Sequence, residues 1–153
     1  MAHKVQIDAT DRIILSFLIK NARTPFLEIA RSCGISGAAI HQRIRKLEDA
    51  GIISGSKFIV KPQAVGFDIC AFVGILLDKG HIFDKVVQEI EKIPEIVECH
   101  FTTGTWSLLV KMYCVDNQHL MNVLVTKMQK IPGIARTETF ISLDQAIDRE
   151  FSI

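Results

Sequence analysis

Nowhere in these 153 residues does an apolar run approach the ~18 residues of a membrane span; the longest, Ile69 to Leu77, is half that length. The opening MAHKVQID has neither an apolar segment nor a cleavage site, so no secretory signal is expected. No CxxC occurs. Cys33, Cys70, Cys99 and Cys114 stand far apart inside apolar patterns, none at ligand spacing from His3, His41, His81, His100 or His119. That spacing excludes the usual zinc arrangements and reads as reduced core thiols. Neither a nucleophile–base pair at recognisable spacing nor a phosphate-cradling glycine loop is present, which argues against an enzyme. Apolar residues are not scarce: 48% hydrophobic against 23% charged excludes disordered and low-complexity classes. The expectation is a soluble cytoplasmic protein without metal, cofactor or membrane partner.

What is present is enough chain for one ordinary domain or two small ones. The net charge of +1 conceals an asymmetry: residues 1–60 carry nine Lys/Arg against five Asp/Glu, and residues 61–153 nine against twelve. A basic front half suggests an anionic partner there, and scattered surface charge is the alternative. Mean hydropathy of +0.26 is high for a soluble chain. Part of that apolar surface is expected in a subunit interface.

Through residue 50 the apolar period is helical. Ile13, Ile14, Phe17 and Leu18 share a face, and Thr10 or Asp8 can cap that helix, which ends near Asn21. Thr24-Pro25 reads as an N-cap followed by proline at the first helical position, opening a short helix that stops at Gly34. Ser36 caps a third helix with Ile40, Ile44 and Leu47 at helical spacing, closed by Gly51. Ile52 to Val60, with Ser54-Gly55-Ser56 between two apolar pieces, predicts a small β wing. Pro62 and Gly66 mark a linker over 61–68, which leaves 69–153 as a second domain.

In that second domain, strand and helix periods alternate as βαββαβ. The second helix carries Leu120, Val123, Leu124, Met128 and Ile131, and the last strand runs from about Ala135 to Leu143. A shift of 38 residues lays Lys92-Ile93-Pro94-Glu95-Ile96 on Lys130-Ile131-Pro132-Gly133-Ile134 and His81 on His119. Two fused strand–helix–strand units form a ferredoxin-like sandwich. The fold class is therefore α+β: a winged helix-turn-helix domain over 1–60 followed by a βαββαβ domain.

The helices joined by Cys33-Gly34-Ile35-Ser36 form a helix-turn-helix candidate, with Ala30 permitting close crossing and Ile40 plugging the core. With Ile40, Ile44 and Leu47 inward, the outward stripe is Ala38, His41, Gln42 and Arg45, flanked by Arg43 and Lys46. Gln and Arg recognise base edges, and Arg and Lys neutralise phosphates. An ordinary solvated basic face is the alternative. Farther on, Thr102-Thr103-Gly104-Thr105-Trp106-Ser107 is a polar turn between strands. It reads either as a plain hairpin turn or as a site whose backbone and hydroxyls meet the α-groups of an amino acid.

The stretch from Ile7 to Gly55 resembles the N-terminal domain of the Lrp/AsnC (feast/famine) transcription regulators. The carriers are Ile7-Asp8 with Asp11, Asn21-Ala22-Arg23-Thr24, Glu28-Ile29-Ala30, Gly34-Ile35-Ser36, Arg43-Ile44, Leu47-Glu48 and Gly51-Ile52-Ile53. The back half resembles the family's ligand-sensing domain. NARTPF, IHQR and TTGTWS look most like its asparagine-responsive branch, while Ala39 departs from the hydroxyl residue many members carry.

That resemblance implies double-stranded DNA as a partner, with Arg43 and Lys46 on phosphate and His41, Gln42 and Arg45 in the major groove. Ala38 and Ser36 sit at the slim helix start, and Thr24 caps its helix, donates to phosphate, or does both. It also implies an amino acid effector, asparagine first, held at Thr102–Ser107, with Gln129, Thr137 and Glu138 supplied by a neighbouring subunit. Many relatives carry an acidic residue where this chain has Ser107. Homodimers assembling into a larger even-numbered ring, an octamer, complete the picture. A sensing module that does not touch DNA, and a sirohaem-decarboxylase-like enzyme, are the alternative functions.

Overall fold

The computed structural model of the chain describes residues 6–153 apart from the His81 side chain; His3 and that side chain of the histidine survey therefore lie outside the described residues. Two bodies form. Residues up to Phe58 group with Ile147–Ile153, and Ile59–Ala146 make the other. The domain reading kept the C-terminus with the second domain, whereas its last seven residues belong with the first body.

The first body is three helices: α1 (Ala9–Lys20), α2 (Phe26–Cys33) and α3 (Gly37–Asp49). Asp8 starts α1 through a capping box, its carboxylate accepting from the Asp11 N–H while the Asp11 carboxylate accepts from the Asp8 N–H. The helix stops at Asn21 as the sequence predicts. α2 corrects the reading of Thr24. Pro25, extended at φ −59° and ψ 133°, occupies the cap position, and the Thr24 hydroxyl donates to the Asn21 carbonyl at 2.8 Å instead. Gly34 turns the chain at φ +67°, a conformation that costs a Cβ-bearing residue energy. Ser36 then caps α3, accepting from the Ala39 N–H. Ile14, Ile29 and Ile40 meet with no solvent exposure, each such burial being worth about 1.5–3 kcal/mol.

The β wing does not form within the chain. Ile52 and Ile53 donate to the Leu47 carbonyl as α3 ends, and Ser54 to Lys61 continue without a strand among the described residues. The Ser54–Ser56 segment does not fold its two arms onto each other, so neither gains a ladder partner. Phe58 is held under the Arg23 guanidinium, 4.5 Å from its ring centroid.

The second body follows the predicted βαββαβ order. Its elements are β1 (Ile69–Leu77), α4 (Phe83–Glu91), β2 (Ile96–Phe101), β3 (Leu108–Cys114), α5 (Asn117–Asn122) and β4 (Ile134–Ile141). The antiparallel sheet has the order β2-β3-β1-β4. Strict alternation buries Ala71, Val73, Ile75 and Leu77 of β1 with Leu108, Val110, Met112 and Cys114 of β3 against Val86, Ile90, Leu120 and Val123. The opposite face carries Phe72, Gly74, Lys111 and Tyr113. The segment read as 61–68 linker is ordered here as a 3-10 turn, Pro62–Val65, whose Gly66 carries φ +92°.

The second repeat's helix departs from a single α-helix. After Asn122 it widens over Val123–Lys127 and tightens over Met128–Lys130. The Thr126 hydroxyl donates to the Asn122 carbonyl at 2.6 Å, occupying an acceptor of the helical ladder at that point. The inward residues are nevertheless those predicted: Leu120, Val123, Met128 and Ile131 are all buried. No helix among the described residues is long and apolar enough to cross a membrane.

Candidate DNA-reading helix and effector pocket

Helix α3 is fixed from its inner side. Ile40, Ile44 and Leu47 are buried, which turns Ala38, His41, Gln42, Arg45 and Lys46 outward, all exposed. Among the described residues no ion pair or hydrogen bond engages the side chains of Gln42, Arg45 or Lys46, so their polar groups face solvent. His41 is held edge-on by Phe26 of α2, ring centroids 4.6 Å apart at 76°. Ser36 is exposed at the cap; its oxygen accepts from Ala39 while its own proton stays available to a ligand oxygen.

Arg43 lies apart from that stripe. It is half-buried, and its Nη1 donates to Asp8 Oδ2 and to Asp11 Oδ1, both at 2.8 Å. Donation from the Asp11 N–H, then from Arg43, holds the Asp8 carboxyl below its usual range, and the hydrogen bonds to Asp8 and Asp11 raise the guanidinium in turn. The residue expected on phosphate thus spends its charge tying α3 to the start of α1. Spacing alone did not reveal this partnership. Its signal was the Asp8/Asp11 pair in a capping-box pattern, which leaves two carboxylate oxygens in want of a donor.

In the second body the Thr102–Ser107 turn is a hairpin tied to β1. The Thr102 N–H donates to the Ser107 carbonyl (3.1 Å), the Ser107 N–H to Ile75 (2.9 Å), and the Thr102 hydroxyl to the Trp106 carbonyl (2.7 Å). The Ser107 hydroxyl accepts from the Leu77 N–H at 3.3 Å. Thr103, Gly104 and Thr105 form its exposed tip, with Gly104 at φ +102°. Trp106 lies on Gly74 of β1, where a Cβ would come within 2.6 Å of the indole. A glycine inside an apolar strand run is the mark of that close approach.

Beside it, a depression of about 280 Å³ is lined by Gln129, Ile134, Ala135, Arg136 and Thr137. Gln129 and Thr137 are among the expected effector residues. Glu138 is exposed and lies opposite Gly74 in the ladder, outside that lining. Arg136 was missed, because its position on an edge strand carries no motif. Its guanidinium stands over Trp106, 5.4 Å from the ring, and so joins the depression to the turn.

Glu98 and His100 make a long, exposed 3.4 Å contact beside Lys111. Among the described residues no group of three His, Cys, Asp or Glu side chains is placed to hold a metal ion.

Comparison with known proteins agrees with both bodies. The family model for the Lrp/AsnC ligand binding domain matches residues 70–150, and that for a winged helix-turn-helix DNA-binding domain matches residues 7–54. The chain is similar to the regulatory protein AsnC of Haemophilus influenzae, 40% identical over 94% of this chain and 96% of that protein. Escherichia coli AsnC superposes with a TM-score of 0.91 at 38% identity, covering 95% of this chain and 98% of that one. A feast or famine regulatory protein from M. tuberculosis, complexed with L-methionine, superposes at 0.86 with 26% identity over 94% and 96% of the two chains.

Proposed function

This chain belongs to the Lrp/AsnC family, and from that premise we propose that it is a cytoplasmic, sequence-specific transcription regulator whose assembly and operator binding respond to a small amino acid. The observation that carries the DNA reading is α3 itself. It is capped by Ser36, pinned by three buried side chains, and exposes Gln42, Arg45 and Lys46 without internal partners. Gln42 and Arg45 reach base edges in the major groove, and Lys46 neutralises phosphate. Ala38 leaves the helix start slim enough to approach the groove. His41 packs on Phe26 at the edge of that surface, and Ser36 offers its hydroxyl proton to phosphate; Thr24 would reach phosphate only by giving up its hydrogen bond to the Asn21 carbonyl. Arg43 positions the helix.

The effector is an amino acid lodged at the Thr102–Ser107 turn, with asparagine the first candidate from the resemblance to AsnC. The tuberculosis relative's complex with L-methionine supports the ligand class. Homodimers form the working unit, and these join into a larger even-numbered ring, an octamer. Two features support self-association: the apolar segment Phe58–Val60, exposed and without a strand partner, and the helix-free sheet face bearing Phe72 and Phe140, the latter 48% exposed. Binding between dimers shifts their packing and so the spacing of paired α3 helices, driven by a difference in affinity for the two assemblies.

The test is a footprint titration on the DNA upstream of the protein's own gene and on genomic fragments, with and without asparagine. Protection at spaced half-sites that changes with asparagine is the expected result. Protection indifferent to every amino acid would remove the sensing role. No protection on any fragment at low salt would remove the regulator.

A further inference from the structure

Arg43, the arginine expected on phosphate, is neutralised by Asp8 and Asp11. Arg23 of the same body is not. It is exposed in the turn between α1 and α2, and among the described residues no carboxylate lies within ion-pair distance of it. The turn itself is fixed on Asn21. The Arg23 N–H donates to Asn21 Oδ1 at 3.0 Å, while the Thr24 N–H (3.0 Å) and hydroxyl (2.8 Å) both donate to the Asn21 carbonyl. At its other end, the Arg23 guanidinium stands over the Phe58 ring, 4.5 Å from the centroid. A π face orients a guanidinium without neutralising it or consuming its N–H donors. Arg23 is therefore an oriented cation whose charge has no partner within its own body.

A second contact locates that cation relative to α3. His41, on the outward stripe, packs edge-on against Phe26 with ring centroids 4.6 Å apart, and Phe26 follows Arg23 by only three residues. Three residues of chain span at most about 11 Å, close to the ~12 Å width of the major groove. With α3 lying in the groove, a side chain at that remove meets the phosphate wall rather than the base edges on the floor. Phosphate oxygens accept from the planar guanidinium fork in pairs, as carboxylates do. Phe58 is 76% exposed, so its contact with Arg23 buries little, and what the ring contributes is direction.

We infer that Arg23 grips a DNA phosphate at the border of the groove that α3 reads, and that Phe58 is the positioning residue that aims it. This rests on the DNA reading above, and the test separates the two. Full-length protein is titrated by fluorescence anisotropy onto the duplex from upstream of its own gene and onto random duplex of equal length, each at several salt concentrations. The proteins are wild type, Arg23→Gln, Arg23→Lys, Phe58→Leu and the Arg23→Gln/Phe58→Leu pair. Both side chains are exposed, so melting curves are expected to coincide. Leucine keeps an apolar side chain at position 58, and sedimentation checks that the assembly is unchanged.

Arg23→Gln should weaken both duplexes by the same factor and flatten the plot of log affinity against log salt by about 0.9 for each half-site occupied. The ratio of affinities for the two duplexes should not move. Arg23→Lys, which keeps the charge, should keep the salt slope. Phe58→Leu should lose roughly two- to fivefold in affinity, and Arg23→Gln should then cost less in that background than in the wild type. An unchanged salt slope in Arg23→Gln would overturn the inference while leaving the regulator standing. A loss confined to the upstream duplex would also overturn it, by placing Arg23 on a base. Losses that simply add in the double variant would remove the positioning role of Phe58. A wild type that binds neither duplex at low salt would take down the DNA reading, and this inference with it.

Discussion

Two clusters of converging charges, one in each body, are built to opposite standards. In the helical body, two carboxylates meet one guanidinium and all four of their oxygens are used: Asp8 Oδ1 and Asp11 Oδ2 by the capping box, Asp8 Oδ2 and Asp11 Oδ1 by Arg43. In the sheet body, Lys127 (2.7 Å) and His119 (3.1 Å) both converge on Glu95 Oε1. Glu95 Oε2 is buried without a partner among the described residues. The His119 Nδ1 accepts from the Val115 N–H, which places the ring proton on Nε2, facing the glutamate. A fully satisfied network rigidifies what it joins, and a half-satisfied one carries a desolvation cost it does not recover. The first cluster therefore holds α3, the helix proposed to read DNA, in place, and the second is tolerated rather than needed.

The sharpest way to break this contrast is Arg43→Ala. It strands Asp11, which is only 5% exposed, and should cost about 2 kcal/mol in thermal or denaturant unfolding, as expected for hydrogen bonds to a charged group. DNA affinity would fall for all sequences together, because the helix rather than a contact is disturbed. A variant that melts like the wild type yet loses one phosphate's worth of salt dependence would return Arg43 to the DNA surface. Arg45→Ala is the counterpart two residues away. It should leave melting unchanged and cost about 1–3 kcal/mol mainly on the cognate site, read by competition against random DNA.

Much of this arrangement was legible in the sequence, because periodicity reports burial. Ile40, Ile44 and Leu47 fixed which way α3 faces, and the 38-residue repeat gave the order of the sheet. What escaped were pairings between residues distant along the chain. Nothing local ties Arg43 to Asp8, and nothing marks Arg136 on an edge strand as standing over Trp106. The wing segment stays unpaired within the chain for a related reason: alternating apolar residues around Ser54-Gly55-Ser56 specify an extended chain, but not which chain will pair with it. Thr24 failed by one position, since Pro25 with ψ at 133° takes the cap and frees the threonine hydroxyl for Asn21. The repeat also hides a divergence. Where the first copy has Glu95, the second has Gly133 at φ +98°, and a Cβ there would overlap Ile82 Cδ1.

Gly74→Ala sharpens the comparison from the effector side, since Gly74 supports Trp106 and no charge is involved. Its methyl would press into the indole, and overpacking of this kind costs about 1–3 kcal/mol. Tryptophan fluorescence reports the displacement directly, as this is the sequence's single Trp. An unshifted emission spectrum would mean that the indole has room to move, and that Arg136 is not oriented by it.

The smallest effect belongs to Glu95→Gln, and its pH dependence is the most informative reading. Burial pushes the Glu95 carboxyl up, but donation from Lys127, from its own backbone N–H and from His119 outweighs burial and leaves it below the ordinary glutamate range. A carboxyl lowered on folding contributes stability that is fully present above its unfolded value. That stability is lost as pH falls through the folded one. At neutral pH the amide keeps an acceptor for Lys127 and His119, so the change should stay within about 1 kcal/mol. Below the ordinary glutamate range the wild type should lose this increment while the Gln variant does not, bringing the two melting curves together as acid is added. Asp8, also lowered, titrates in both proteins and cancels from the difference. Curves that run parallel down to strong acid would show that Glu95 is no better served folded than unfolded, and that its unpartnered oxygen cancels everything the other one gains.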